Sequence, residues 1–264
     1  MPFFNLPMTA SSILLRSALV AAFAATIGCA AAPAHALGVP MDDQQLSDTW
    51  GQALLDLTNT TQGGYDFSRL TLNADITMST TLTGLKLGTQ ANGTSDIDIT
   101  SLNFGRSDLD DAHRTVAIAN PYFEWVYSGA AGSANRQVVG MRIGFGGIAG
   151  NVGLLMNTVS GSLAISTDSG LATSNGAQST SLTCGASCSI PLNQVGGVVA
   201  GDANGASRDF FLSILKTALT YPTTDPAVGA PAQSQAGFWL NWTDRLKAIN
   251  TTGVVPPNMP KIGP

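Results

Sequence analysis

The chain is poor in the residues from which most active sites are built. It has only two histidines, His35 and His113, three cysteines, Cys29, Cys184 and Cys188, and one glutamate, Glu124. Catalysis by a serine nucleophile needs a histidine close to a serine on a strained turn, and no Gly-x-Ser-x-Gly is present. A serine hydrolase is therefore not expected. Glycoside hydrolysis needs two positioned carboxyls, and Glu124 has no second acid beside it in its own run of residues. Charge is scarce as well: Asp, Glu, Lys and Arg make up 11% of the chain, with 17 acidic residues against 12 basic ones. That balance provides no basic groove for nucleic acid. The glycine-dense stretch Gly144–Gly153 is followed by no lysine and no strand-to-helix pattern, so it reads as tight turns and close sheet packing rather than a phosphate cradle. No cofactor is expected, and no enzyme.

What the chain does have begins at its N-terminus. Arg16 is the only charged side chain before Asp42, and the apolar run Ser17–Ala32 follows it. The run ends at Pro33 and Ala34-His35-Ala36, small residues at the positions a signal peptidase reads. Residues 1–36 are therefore expected to be a signal peptide. A transmembrane anchor is the competing reading, against which stand the shortness of the apolar run and the cleavage site, so no membrane span is expected in the mature form. Lipoprotein processing at Cys29 is a second alternative, weakened because Thr26-Ile27-Gly28-Cys29 lacks the usual leading leucine. Of 264 residues, cleavage after Ala36 leaves 228, enough to bury a core without stapling.

The mature region divides by period. In residues 37–64, Leu46, Trp50, Ala53 and Leu54 recur at helical spacing behind Asp42 and Asp43, which predicts a short N-terminal helix. From Arg69 to Thr83 the period becomes two: Leu70, Leu72, Ala74, Ile76 and Met78 fall on one face, Thr71, Asn73, Asp75 and Thr77 on the other. Gly84 stands where the alternation slips. Further alternating runs at 96–104, 115–119, 122–127, 139–145 and 159–165, separated by Gly, Asn and Asp, predict a β-rich domain over residues 65–200. The fold class is accordingly mainly β, an antiparallel sandwich or roll-like sheet assembly with helical pieces at either end. In residues 201–264, Ser207 is placed to cap a helix carrying Phe211, Leu215, Ala218 and Leu219, ended by Tyr221-Pro222. A linker rich in Pro, Thr and Ala follows, and then Phe238-Trp239-Leu240-Asn241-Trp242. Trp242, Leu246 and Ile249 at helical spacing suggest a short helix or an extended lid packing on the β domain.

Few constellations carry chemistry. Cys184 and Cys188, separated by Gly-Ala-Ser, can close a small disulfide loop, as an exported protein favours. Asp108, Asp110 and Asp111, in a polar link beside His113, have the oxygens a hard cation prefers, but they read first as an acidic turn with solvated charges. Asp168-Ser169-Gly170 matches an aspartic-protease half-site by three residues with no second copy, and reads as a turn. Glu124 sits mid-strand, where burial demands a partner, and Arg142 in the strand-like run Met141-Arg142-Ile143 can supply it as a cross-strand ion pair that fixes register. Tyr122, Phe123, Trp125 and Tyr127 occupy both faces of one strand. Their outward rings need a cover, for which Trp239 and Trp242 are candidates, or else Trp125, Trp239 and Trp242 form a surface for a ligand or partner.

Met41-Asp42-Asp43-Gln44-Gln45-Leu46-Ser47 with Gly51-Gln52-Ala53, then Asn120-Pro121-Tyr122-Phe123-Glu124 and Val139-Gly140-Met141-Arg142-Ile143-Gly144-Phe145, resemble a family of exported gammaproteobacterial β-rich proteins, some of them labelled as components of a Fil-type pilus system. The likeness spans roughly residues 40–165, and Trp50 departs from the Thr or Ser that many relatives carry before Gly-Gln. The resemblance implies a surface or extracellular role with no established reaction and no catalytic residue to carry over. Self-association, or binding to envelope and pilus-system proteins, is the expected mode of partnership. A periplasmic or extracellular binding protein for a glycan or apolar ligand is the alternative.

Overall fold

Every β-rich run in the sequence becomes a strand in the computed structural model, which describes residues 54–186, 188–222 and 232–260. All described residues belong to one compact unit. The strands are β1 Leu55–Gln62, β2 Tyr65–Leu72, β3 Asp75–Met78, β4 Thr80–Leu87, β5 Ile97–Phe104, β6 Val116–Ser128, β7 Gln137–Thr167 and β8 Gly170–Ser179. They continue as β9 Ser181–Thr183, β10 Ser189–Pro191, β11 Val198–Ala200, β12 Phe211–Leu215, β13 Leu219–Thr220, β14 Gln233–Ser234, β15 Gly237–Trp242 and β16 Leu246–Ala248. The fold is mainly β, largely antiparallel and sandwich-like.

β7 organises it. This strand runs for 31 residues and changes neighbours along its length. Its first half pairs with β6 on one edge and β12 on the other, for example Glu124↔Arg142 and Ser213↔Arg142. Its middle pairs with β11 and β5, and its last part with β8 and, in parallel, with β15. One backbone can take that many partners only if the sheet curls around it, and glycine permits the approach. A Cβ on Gly161 would lie 2.1 Å from the Leu240 carbonyl oxygen, and one on Gly144 would lie 2.4 Å from the Tyr122 hydroxyl. Two cores result. The larger gathers Ile97, Val116, Ile148, Met156, Leu163, Leu182 and Trp242; the smaller holds Phe67, Val126, Val139, Phe211, Leu215, Leu219 and Tyr221.

Three expectations need correction. The helix after Ser207 is the strand β12, in which Phe211, Ser213 and Leu215 are buried while Leu212 is half-buried and Ile214 exposed. A short apolar run fits either period, and here hydrogen bonding to β7 on one side and β15 on the other makes it a central strand. The aromatic segment is likewise the strand β15, so β12, β15 and β16 complete the large sheet rather than forming a separate helical cap. Finally, the region assigned to an N-terminal helix ends in β1, which pairs with β2 over its whole length. The signal peptide and nearly all of the expected helix at 41–55 lie outside the described residues. The amphipathic stretch 69–83 divides into three: β2 and β3 lie end to end along β6, and β4 turns away to pair with β5. Gly84 lies within β4 at φ +67°, a left-handed conformation that favours glycine.

Candidate functional site

Residues directly opposite one another in a ladder share a face of the sheet, so the registers of β1, β2, β6, β7, β12 and β15 line side chains up in rows. One row on the inner face reads Thr58, Arg69, Glu124, Arg142, Ser213, Trp239. The row behind it, over the opposite face, reads Leu57, Leu70, Phe123, Ile143, Leu212, Leu240.

The inner row contains an ion cluster larger than the pair expected from sequence. Arg142 Nε donates to Glu124 Oε1 at 2.6 Å, and Arg69 Nε donates to Glu124 Oε2 at 2.8 Å. Glu124 and Arg142 are buried, whereas Arg69 retains some solvent contact. Aromatic faces supply the rest of the surroundings. The Arg142 guanidinium lies 3.8 Å from the Tyr221 ring centroid and 4.9 Å from that of Phe211, and the Arg69 guanidinium 4.2 Å from that of Tyr122. Burial opposes the Arg142 charge, but the oxygens of Tyr122 and Glu124 more than offset it and raise its pKa. Burial also pushes the Tyr221 phenol far above its ordinary value. Each Glu124 oxygen already accepts from a guanidinium, and the carboxylate is sealed from water. That arrangement locks register across β2, β6 and β7 and presents no acid to a substrate. Arg69 could not be found from sequence, because only the β2–β6 register brings it to Glu124.

The outer row is uneven in exposure, with Leu70 and Leu212 half-buried. Leu57 is 63% exposed, Phe123 42% and Ile143 40%, while Leu240 at the far end enters the larger core. In the adjacent row Trp125 is half-buried and stacks on Phe123, with ring centroids 6.3 Å apart and planes 25° from parallel. Trp239 and Trp242, expected at a ligand or partner surface, are instead interior: each is 2% exposed, and the Trp242 indole N–H donates to Ser207 Oγ at 2.9 Å. They are strand residues of β15 with both neighbours in place, so they cannot cover Phe123 and Trp125 from outside. Of the expected aromatic surface, Trp125 remains.

The acidic link is a loop whose carboxylates are engaged by its own side chains. Asp108 accepts from Arg106 at 2.7 and 2.6 Å, Asp110 lies 2.5 Å from His113 Nδ1, and Asp111 accepts from Arg114 Nε at 3.0 Å. Each carboxylate has a partner side chain from its own loop, and no group of three or more His, Cys, Asp or Glu among the described residues is arranged to hold a metal ion. Hydrogen bonding from Arg106 lowers the Asp108 pKa, and hydrogen bonding with His113 lowers that of Asp110. Asp110 additionally caps the 3-10 turn Asp111–Arg114 by accepting from the Ala112 N–H. Cys184 and Cys188 form a disulfide with Cα atoms 4.9 Å apart. Asp168 lies in the tight connection between β7 and β8.

No family model, curated protein or solved structure matches this chain. Among the described residues, no helix is long and apolar enough to cross a membrane.

Proposed function

We propose that this is an exported, non-enzymatic structural protein of the cell surface or extracellular space, a component of a filament, pilus system or matrix. The observation that carries this reading is the outer face of β1, β2, β6 and β7, where Leu57, Leu70, Phe123, Trp125 and Ile143 form a continuous apolar strip reaching solvent. Such a strip rimmed by polar residues suits contact with another protein. The N-terminal leader pattern and the Cys184–Cys188 disulfide favour an oxidising location. A buried, fully engaged Glu124 favours a role without catalysis. The test is to isolate the native protein from cell fractions and culture medium, determine its N-terminus by mass spectrometry and image the same fractions by electron microscopy. The expected result is a chain beginning at Leu37 in filaments or envelope assemblies; a soluble monomer without an envelope partner would overturn the proposal.

The Phe123–Trp125 stack supports a second reading, a binding face for a glycan or apolar ligand. Saturable quenching of tryptophan fluorescence by a panel of glycans, lost in Trp125→Ala, would carry it; absence of quenching across the panel would remove it.

A further inference from the structure

We propose that β1 is a homotypic edge, through which two copies of this chain join antiparallel about a two-fold axis at Leu57. The inference deepens the assembly reading above by naming the partner and the strand.

The hairpin that makes β1 fixes which of its backbone groups are free. β1 and β2 are joined by Gly63-Gly64 with φ +61° and +82°, and both positive values mark a type I′ turn. In such a hairpin the flanking residues, Gln62 and Tyr65, exchange both hydrogen bonds. The alternation that follows turns the N–H and C=O groups of Thr60, Thr58 and Asp56 toward β2. The Leu54 carbonyl, accepting from Asn73 N at 2.8 Å, agrees with this parity. Leu55, Leu57, Asn59 and Thr61 therefore direct their backbone groups away from β2, along an edge that pairs with no other strand among the described residues.

Edges of this kind are ordinarily blunted by charged side chains, proline or a bulge. β1 has no lysine, no proline and no bulge: its sequence is Leu-Asp-Leu-Thr-Asn-Thr-Thr-Gln, its register with β2 is unbroken, and its one charge is Asp56. All but its last residue is exposed. A two-fold axis normal to the sheet keeps each face on its own side, so odd-numbered residues must meet odd-numbered residues. Centring it on Leu57 places Leu55 opposite Asn59 and Asp56 opposite Thr58 of the second copy. No like charges meet, and Leu57 meets Leu57 at a position where both backbones have groups to exchange. The outer apolar row then continues without a break from Ile143, Phe123, Leu70 and Leu57 into the same residues of the second copy. That continuity also explains why the most exposed leucine of the row lies at its outer end.

The experiment uses the mature full-length chain. Sedimentation over a range of concentrations should show dimers or larger species. Leu57→Lys should abolish them while leaving thermal unfolding of the monomer nearly unchanged, because Leu57 is exposed and its backbone groups do not serve β2. Under mild oxidation Leu57→Cys should cross-link to itself; Leu55→Cys alone should not, since it would lie four residues from its own symmetry mate, but mixed with Asn59→Cys it should. Assembly that survives Leu57→Lys, with no Leu57→Cys cross-link, overturns the β1 edge and leaves the structural-protein reading in place. A monomeric wild-type protein whose β1 amides resist hydrogen exchange overturns it too, by placing another segment of the chain on that edge. Microscopy of native fractions remains the separate test of the wider reading.

Discussion

Glu124 is held by two guanidiniums in a site that water does not reach, and that asymmetry sets the outcome of changing each member. Replacing it with glutamine leaves Arg142 buried without its counter-charge, and removing one partner of a buried ion pair costs about 3–5 kcal/mol. Glu124→Gln should therefore lower unfolding stability by roughly that amount in urea titrations, whereas Arg69→Met should cost distinctly less, because Arg142 still neutralises the carboxylate and Arg69 retains some solvent contact. The acidic link behaves differently, since its carboxylates are close to solvent. Asp108 has a folded-state pKa below its unfolded value because Arg106 donates to it. A depressed carboxyl contributes stability that is present above the unfolded pKa and disappears as pH falls through the folded one. Carboxyl NMR titrations should give Asp108 and Asp110 midpoints below the ordinary aspartate range, and Arg106→Gln should return Asp108 to that range. An unshifted Asp108 in the wild type would show that the Arg106 contact does not persist in solution.

At the scale of elements, β7 serves as the common backbone of the sheet, and its glycines are where neighbouring strands come closest. At Gly144 an added methyl would meet the Tyr122 hydroxyl and, at 2.7 Å, the carbonyl oxygen of Phe210. The tyrosine ring can swing, but a backbone carbonyl that accepts from the Phe145 N–H cannot move as cheaply. Overpacking of this kind typically costs 1–3 kcal/mol, so Gly144→Ala should destabilise by about 2 kcal/mol in chemical denaturation. It should also displace the Tyr122 ring that rests against Arg69. Gly176, where a Cβ would meet only a serine hydroxyl at 3.5 Å, is the internal control: its alanine variant should unfold close to wild type.

Across the whole molecule, assembly depends on which face of the sheet is left outside. The alternation in Leu70, Leu72 and their neighbours identifies two faces of β2 but not which one is buried. Here Phe67 and Arg69 point inward, and Leu70 stands on the outer strip. The buried side is the one lined by Tyr122, Glu124 and Val126, because β12 and Tyr221 pack there.

Sequence alone was sufficient for what depends on local chemistry. Period-two alternation marks β2 to β7 as strands, a four-residue spacing brings Cys184 within reach of Cys188, and a lone mid-strand glutamate demands a basic partner, for which Arg142 has the matching strand context. Only tertiary structure decided the rest. Phe211–Leu215 and Gly237–Trp242 are too short for their period to declare itself, and they become strands because β7 offers them hydrogen-bonding edges. Arg69 joins Glu124 only through the β2–β6 register. Trp239 and Trp242 are interior while Trp125 reaches solvent for the same reason: hydrophobicity says that a ring should be covered, but the order of strands determines which rings have a neighbour to cover them.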